Sequence, residues 1–182
     1  MPFSEKEKEL MLKLARDSIL TTFEDKSINI PTDKFLNEKR GVFVTLTNQN
    51  NLRGCIGFPE PVYPLGEALA QAAKSAAFSD PRFDQVTKEE MNDIKIEISV
   101  LTVPKQLEQG TSEEIIKQVE IGKDGLILKY ANRSGLLLPQ VPIEWKWDAK
   151  EFLKQICIKA GVEEDAWQKG DLYKFQAEIF SE

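Results

Sequence analysis

Two β-prone stretches folded back on each other at Asn48-Gln49-Asn50-Asn51 constrain this chain more than any other feature. Gly41 to Thr47 is rich in Val, Phe and Thr, which suit a pleated surface. Asn tolerates the left-handed backbone that tight turns require. The chain then returns through Leu52 to Ile56, which predicts a second strand paired antiparallel to the first. Ile94, Ile96, Ile98 and Val100 alternate with Lys95, Glu97, Ser99 and Leu101, which predicts a long strand with one apolar face. Val119-Glu120-Ile121, a Lys123-Asp124-Gly125 turn and Leu126-Ile127-Leu128 predict another hairpin. Asn132-Arg133-Ser134-Gly135 turns into Leu136-Leu137-Leu138, and Leu172 to Phe180 alternates as one closing strand.

Helices fall between these strands. Ser4 and Glu7 form a capping-box pattern ahead of the stripe Leu10, Met11, Leu14, Ala15, Ser18 and Ile19, so a helix is predicted over about residues 5–22. Residues 24–38 read as a polar connector, and Pro59, Pro61 and Pro64 as a stiff one. Leu65 to Phe78 is Ala-rich and helical, with small residues that permit close packing. Thr87 with Glu90, and Thr111 with Glu114, predict short capped helices. Asp148 and Glu151 cap a helix carrying Phe152, Leu153, Ile156, Cys157 and Ala160, with Gly161 as its stop. Hairpins interspersed with helices define an α+β class with antiparallel or mixed sheets and flanking helices. The 182 residues suit one domain, or two small lobes sharing a core.

The chain has no histidine. That removes Ser-His-Asp and Cys-His catalysis and imidazole metal sites. With only two cysteines, no metal site and no cofactor are expected. Any proton transfer must use carboxylates, Lys, Tyr, Cys or water. Lys and Arg number 24 against 30 Asp and Glu, a net charge of −6. No basic cluster stands out, which argues against nucleic acid as the main partner. No apolar run approaches the ~20 residues that span a bilayer, and the N-terminus lacks a signal-peptide core. A cytoplasmic location is the expectation. Monomer and homodimer both stay open, the latter through the terminal strand if it lies at a sheet edge.

Leu52-Arg53-Gly54-Cys55-Ile56-Gly57 carries the most chemistry. On a regular strand Arg53 and Cys55 point one way, and Leu52, Gly54 and Ile56 the other. A guanidinium beside a thiol favours the nucleophilic thiolate. Gly54 and Gly57 lack Cβ atoms, so a ligand or another backbone can approach closely. A buried, inert Cys55 with Arg53 paired to a carboxylate is the competing reading. Cys157, on an apolar helix face, reads as core.

The same segment resembles the hallmark of the AMMECR protein family. Ala77-Phe78-Ser79-Asp80-Pro81-Arg82-Phe83 is similar to the family's second motif. Ile96 to Thr102, Gly122 to Leu126, Gly135 to Val141, and Trp147 through Gly161 match further blocks in order. The resemblance covers nearly the whole chain, as one AMMECR-type domain over residues 1–182. It implies two unequal lobes sharing a cleft, to which the hallmark segment contributes. It also implies a working association with a radical S-adenosylmethionine protein and a Memo-type protein, and suggested roles in transcription or translation.

Other residues are candidates on their own chemistry. Asp80 and Arg82 flank Pro81 and could bring an acid and a base together, or simply cap a turn and pair. Glu97 and Ser99 share the polar face of a central strand. Glu97 is the best general-base candidate in a protein without histidine. Gln140 follows Pro139 at the end of an apolar strand and could present its amide to a ligand. Trp145 and Trp147, two apart, are expected to pack on a sheet face rather than to form a stacking platform. The candidate ligand-binding set is Arg53, Gly54, Ile56, Gly57, Asp80, Arg82, Ser99 and Gln140, with Cys55 and Glu97 as catalytic candidates. The functional expectation is a small anionic ligand or a partner segment bound at this site. An enzyme, or an enzyme component, using Cys55 as nucleophile or redox group is the alternative. A nucleic-acid-linked regulator is a weaker one.

Overall fold

The computed structural model describes residues 2–182. The elements in chain order are α1 (Glu5–Phe23), β1 (Val42–Asn48), β2 (Asn51–Phe58), α2 (Leu65–Phe78), β3 (Ile94–Leu101), β4 (Lys105–Gln106), α3 (Ser112–Lys117), β5 (Gly125–Tyr130), β6 (Arg133–Leu137), α4 (Val141–Glu144), α5 (Ala149–Ala160), β7 (Asp171–Phe175) and β8 (Ala177–Ser181). The chain divides into two compact units. One comprises residues up to Leu101 with Glu178–Glu182, and the other Thr102–Ala177. Each unit holds a four-stranded sheet, so the α+β class read from the sequence is the observed one. Among the described residues no helix is long and apolar enough to cross a membrane.

In the first unit the strand order is β2-β1-β3-β8. β1 pairs antiparallel with both β2 and β3. Alternation sends Val42, Val44, Leu46, Ile94, Ile96, Ile98 and Val100 to one face. There they meet Met11 and Leu14 of α1 and Leu69, Ala72, Ala73 and Ala76 of α2 in a single apolar core. The expected capping box starts α1. Ser4 accepts from the Glu7 amide, and the Glu7 carboxylate accepts from the Ser4 amide at 2.7 Å. The small residues of α2 let its backbone come against β2. A methyl group placed on Gly54 would lie 2.1 Å from the Ala76 carbonyl oxygen. Gly54 therefore makes room for the protein's own helix.

In the second unit the order is β4-β7-β5-β6. Its core gathers Leu126, Leu128, Phe152, Leu153, Ile156, Cys157, Trp167 and Leu172. Asp148 caps α5 by accepting from the Glu151 amide at 2.7 Å, and Gly161 ends it in the left-handed region at φ 73°, both as the sequence suggested.

Three readings are corrected. Residues 119–121 are not a strand. Asp124 is buried, accepts from the Glu120 amide and pairs with Lys174, and so folds residues 118–124 into turns. The hairpin is formed instead by β5 and β6, across Ala131-Asn132. The closing stretch is two strands, one in each sheet. Gln176 breaks it by donating its amide to Thr102 Oγ1 and its side chain to Asp124. Trp145 and Trp147 lie after the short helix α4, not on a sheet face. Their rings stack 6.0 Å apart, with Trp145 67% exposed.

Because backbone fills the space above Gly54, replacing it should overpack this contact. Gly54→Ala is expected to lower unfolding free energy by about 3 kcal/mol in urea denaturation. An unchanged midpoint would contradict the close approach of α2.

Candidate functional site

The hairpin that carries the site contains a register change. Gln49 and Asn50 adopt φ 48° and 64°, the left-handed pair of a two-residue hairpin turn. That turn sets Asn48 opposite Asn51 and Thr47 opposite Leu52, but Leu46 then faces Gly54 and Thr45 faces Cys55. Arg53 is the extra residue, a β-bulge. The expectation that Arg53 and Cys55 share a regular strand face fails here, because the bulge interrupts the alternation between them.

Arg53 is also not a free anion anchor. Its Nε and Nη2 donate to the two Glu90 carboxylate oxygens at 2.9 and 3.2 Å. Nη1 donates to the Asp84 carbonyl at 2.7 Å, and Nη2 also to that of Gln85 at 3.3 Å. Glu90 in turn accepts from the Thr87 amide, the capping pair expected from the sequence, here leading into a short 3-10 turn over Glu90–Asn92. The hydrogen bonds from Arg53 hold the Glu90 carboxyl below its ordinary value, with the Thr87 amide reinforcing them. Arg53 thus ties β2 to the loop that follows α2.

That same loop closes the strand edge at Cys55. β2 is an edge strand, and an edge leaves outward-facing amides and carbonyls unpaired. Asp80 Oδ2 accepts from the Cys55 amide at 2.9 Å, and Arg82 Nη2 donates to the Cys55 carbonyl at 3.2 Å. Arg82 and Asp80 form a two-pronged pair, Nε to Oδ1 at 3.0 Å and Nη2 to Oδ2 at 2.7 Å. Two side chains therefore stand where a neighbouring strand would. The Asp80 carboxylate is 2% exposed and Arg82 54%. The Arg82 hydrogen bonds hold the Asp80 carboxyl well below the usual carboxylate range. Burial opposes this, and the Cys55 and Arg82 amides reinforce it.

Since the Cys55 amide and carbonyl face outward, Thr45 and Cys55 form a pair without mutual backbone bonds, the closer of the two antiparallel spacings. The Thr45 hydroxyl lies 3.3 Å from the Cys55 sulfur and donates to it. Thr45 also pairs with Glu97 on its other side, and Phe43 with Gly57 and Ser99. The sheet face opposite the helices therefore carries a row Cys55–Thr45–Glu97 beside a row Gly57–Phe43–Ser99. Two strand spacings of ~4.8 Å place Cys55 and Glu97 about 10 Å apart at Cα. Cys55 and Glu97 are half-buried, and Ser99 is buried. The Glu97 carboxylate has no hydrogen-bond or ion-pair partner among the described residues.

The other candidates fall elsewhere. A Cβ on Gly57 would lie 2.4 Å from the Phe43 ring, so that opening is filled from within the protein. Ile56 packs against the core of the first unit. Gln140 lies in the second unit, at the start of α4, with its Oε1 buried and unpartnered. Cys157 is fully buried, donates to the Leu153 carbonyl at 3.3 Å, and burial pushes its thiol up to about 11. Among the described residues no three Cys, Asp or Glu side chains converge to hold a metal ion. Sequence reasoning missed Thr45, because a turn at Gln49-Asn50 without a bulge puts Gly54 opposite it. It missed Glu90 as the partner of Arg53, because nothing in the spacing links residue 53 to residue 90.

The model of the AMMECR1 family matches residues 12–180. The chain belongs to the AMMECR1 family. A protein from Methanopyrus kandleri is 49% identical over 97% of this chain and 88% of its own length. One from Pyrococcus abyssi is 50% identical over 96% and 89%. The crystal structure of an uncharacterized Pyrococcus horikoshii protein matches with a TM-score of 0.87 and 47% identity, over 99% of this chain and 93% of that one. In this chain Leu52–Gly57 is thus a bulged edge strand whose cysteine peptide is held by Asp80 and Arg82.

The Asp80 carboxyl is depressed in the folded state, so it contributes its full stability above the unfolded carboxylate value of ~4. That contribution drains as pH falls below this value. Asp80→Asn is expected to cost about 2 kcal/mol at pH 7, moderated because Arg82 is half in water. Its loss of stability between about pH 5 and pH 2.5 should be shallower than that of the wild type. Parallel pH profiles in urea denaturation would contradict the assignment.

Proposed function

We propose that this AMMECR1 protein binds a small anionic ligand beside Cys55, with Arg82 rather than Arg53 as the anchor. The observation that supports this is the half-exposed Arg82 guanidinium. Its Nη2 sits 3.2 Å from the Cys55 carbonyl, and its Nη1 donates to no described residue. Arg53 has spent all three of its nitrogens on Glu90, Asp84 and Gln85. A planar guanidinium with unused donors suits a carboxylate or phosphate group.

The Thr45 contact favours a second reading, in which the thiol itself reacts. The Thr45 hydroxyl orients the sulfur, and the unpartnered Glu97 carboxylate lies two strands away in the same row, where it would serve a bound substrate rather than the thiol as a proton acceptor. On that reading the protein is an enzyme or an enzyme component, and a radical S-adenosylmethionine or Memo-type partner would supply the remaining chemistry. Both readings need the sulfur of Cys55 to be reachable.

Iodoacetamide followed by peptide mass spectrometry tests this directly. Cys55 should be alkylated in the folded protein while Cys157 stays intact. Organic di- and tricarboxylates or phosphate esters, at matched ionic strength, should slow alkylation of the wild type and leave Arg82→Gln unaffected. A Cys55 alkylated only in urea would remove both readings. Alkylation without anion protection would remove the first and leave the second.

A further inference from the structure

The first unit holds a hollow of about 580 Å³ apart from the Cys55 row. It lies at the end of β2, lined by Phe58, Tyr63, Glu67, Ala68, Gln71 and Ser75. Its volume falls within the range of small-ligand pockets. Glu67, Gln71 and Ser75 repeat every four residues along α2, so they form one polar stripe of that helix. Gln71 Nε2 donates to Ser75 Oγ at 3.4 Å. Glu67 has no ion-pair or hydrogen-bond partner among the described residues. In the same lining Phe58 and Tyr63 meet edge to face, ring centroids 5.7 Å apart at 74°, with Tyr63 50% exposed.

A peptide strand is a poor occupant here. Pro59 follows Phe58 directly and offers no amide to extend the β2 ladder. An anion is poorer still, because among the described residues lining the hollow the charged one is Glu67, a carboxylate. An unpaired carboxylate and an aromatic pair lining one hollow are the combination that receives an organic ammonium group, through charge and through the negative faces of the rings. The net charge of −6 adds a field of the same sign.

We propose that this hollow is a binding site for a small organic cation bearing a substituted ammonium group, held between Glu67 and the Phe58–Tyr63 pair. Choline serves as the probe, and 3,3-dimethyl-1-butanol, its neutral isostere, as the control. Titrations of the full chain are followed by tyrosine fluorescence and by methyl and aromatic NMR shifts. Saturable binding of choline, with the isostere at least tenfold weaker, is the expected result. Glu67→Gln and Tyr63→Ala, both at exposed positions, should each weaken choline about three- to tenfold while leaving the circular dichroism spectrum unchanged. Cys55→Ala should leave choline binding intact, which separates this site from the one proposed above. No saturable choline binding, equal binding of the isostere, or choline binding indifferent to Glu67→Gln would each overturn the proposal.

Discussion

The Asp80 carboxylate is the interaction on which the rest of the site depends. It accepts from the amide of Cys55 and from the guanidinium and amide of Arg82, and it does so almost entirely out of water. A buried carboxylate must be satisfied by charge and hydrogen bonds or it will not stay ionised. Arg82 supplies the charge and then reaches on to the Cys55 carbonyl. The result is a strand edge finished by side chains instead of by another strand. With Arg53 pinned to Glu90 two residues earlier, the loop after α2 covers the edge of β2 from Arg53 to Cys55.

This bracing explains the composition of Leu52–Gly57 better than ligand contact does. Gly54 is glycine because the α2 backbone occupies the space a side chain would take, and Gly57 because the Phe43 ring does. Ile56 faces the core. Arg53 is the bulged residue whose guanidinium stitches the loop down. Of the six residues, Cys55 is the one whose side chain has a polar partner on the open sheet face, the Thr45 hydroxyl. The segment is thus mostly a frame, and the sulfur is what the frame presents.

Much of the fold was legible in the sequence because its signals are local. Ser4 with Glu7, Asp148 with Glu151, Gly161 and the alternation of Ile94 to Val100 each act within one element, and each appears as read. What was not legible depends on distant partners. The break at Gln176 is set by Thr102 and Asp124, and the turns before β5 by the buried Asp124–Lys174 pair. The site shows the same division. Cys55, Asp80 and Arg82 announce themselves by type and spacing. The identity of the arginine next to Cys55 does not, because one extra residue at Arg53 shifts the register and an acid 37 positions away claims that side chain.

Amide hydrogen exchange at Cys55 probes the brace most directly. An outward-facing amide on an unprotected edge strand exchanges with solvent readily, whereas one bonded to a buried carboxylate opens only with the surrounding structure. The Cys55 amide is expected to exchange as slowly as the ladder amides of β1, and Asp80→Asn to accelerate it selectively. An amide that exchanges in the wild type as fast as those of the exposed turn at Gln49-Asn50 would contradict the brace.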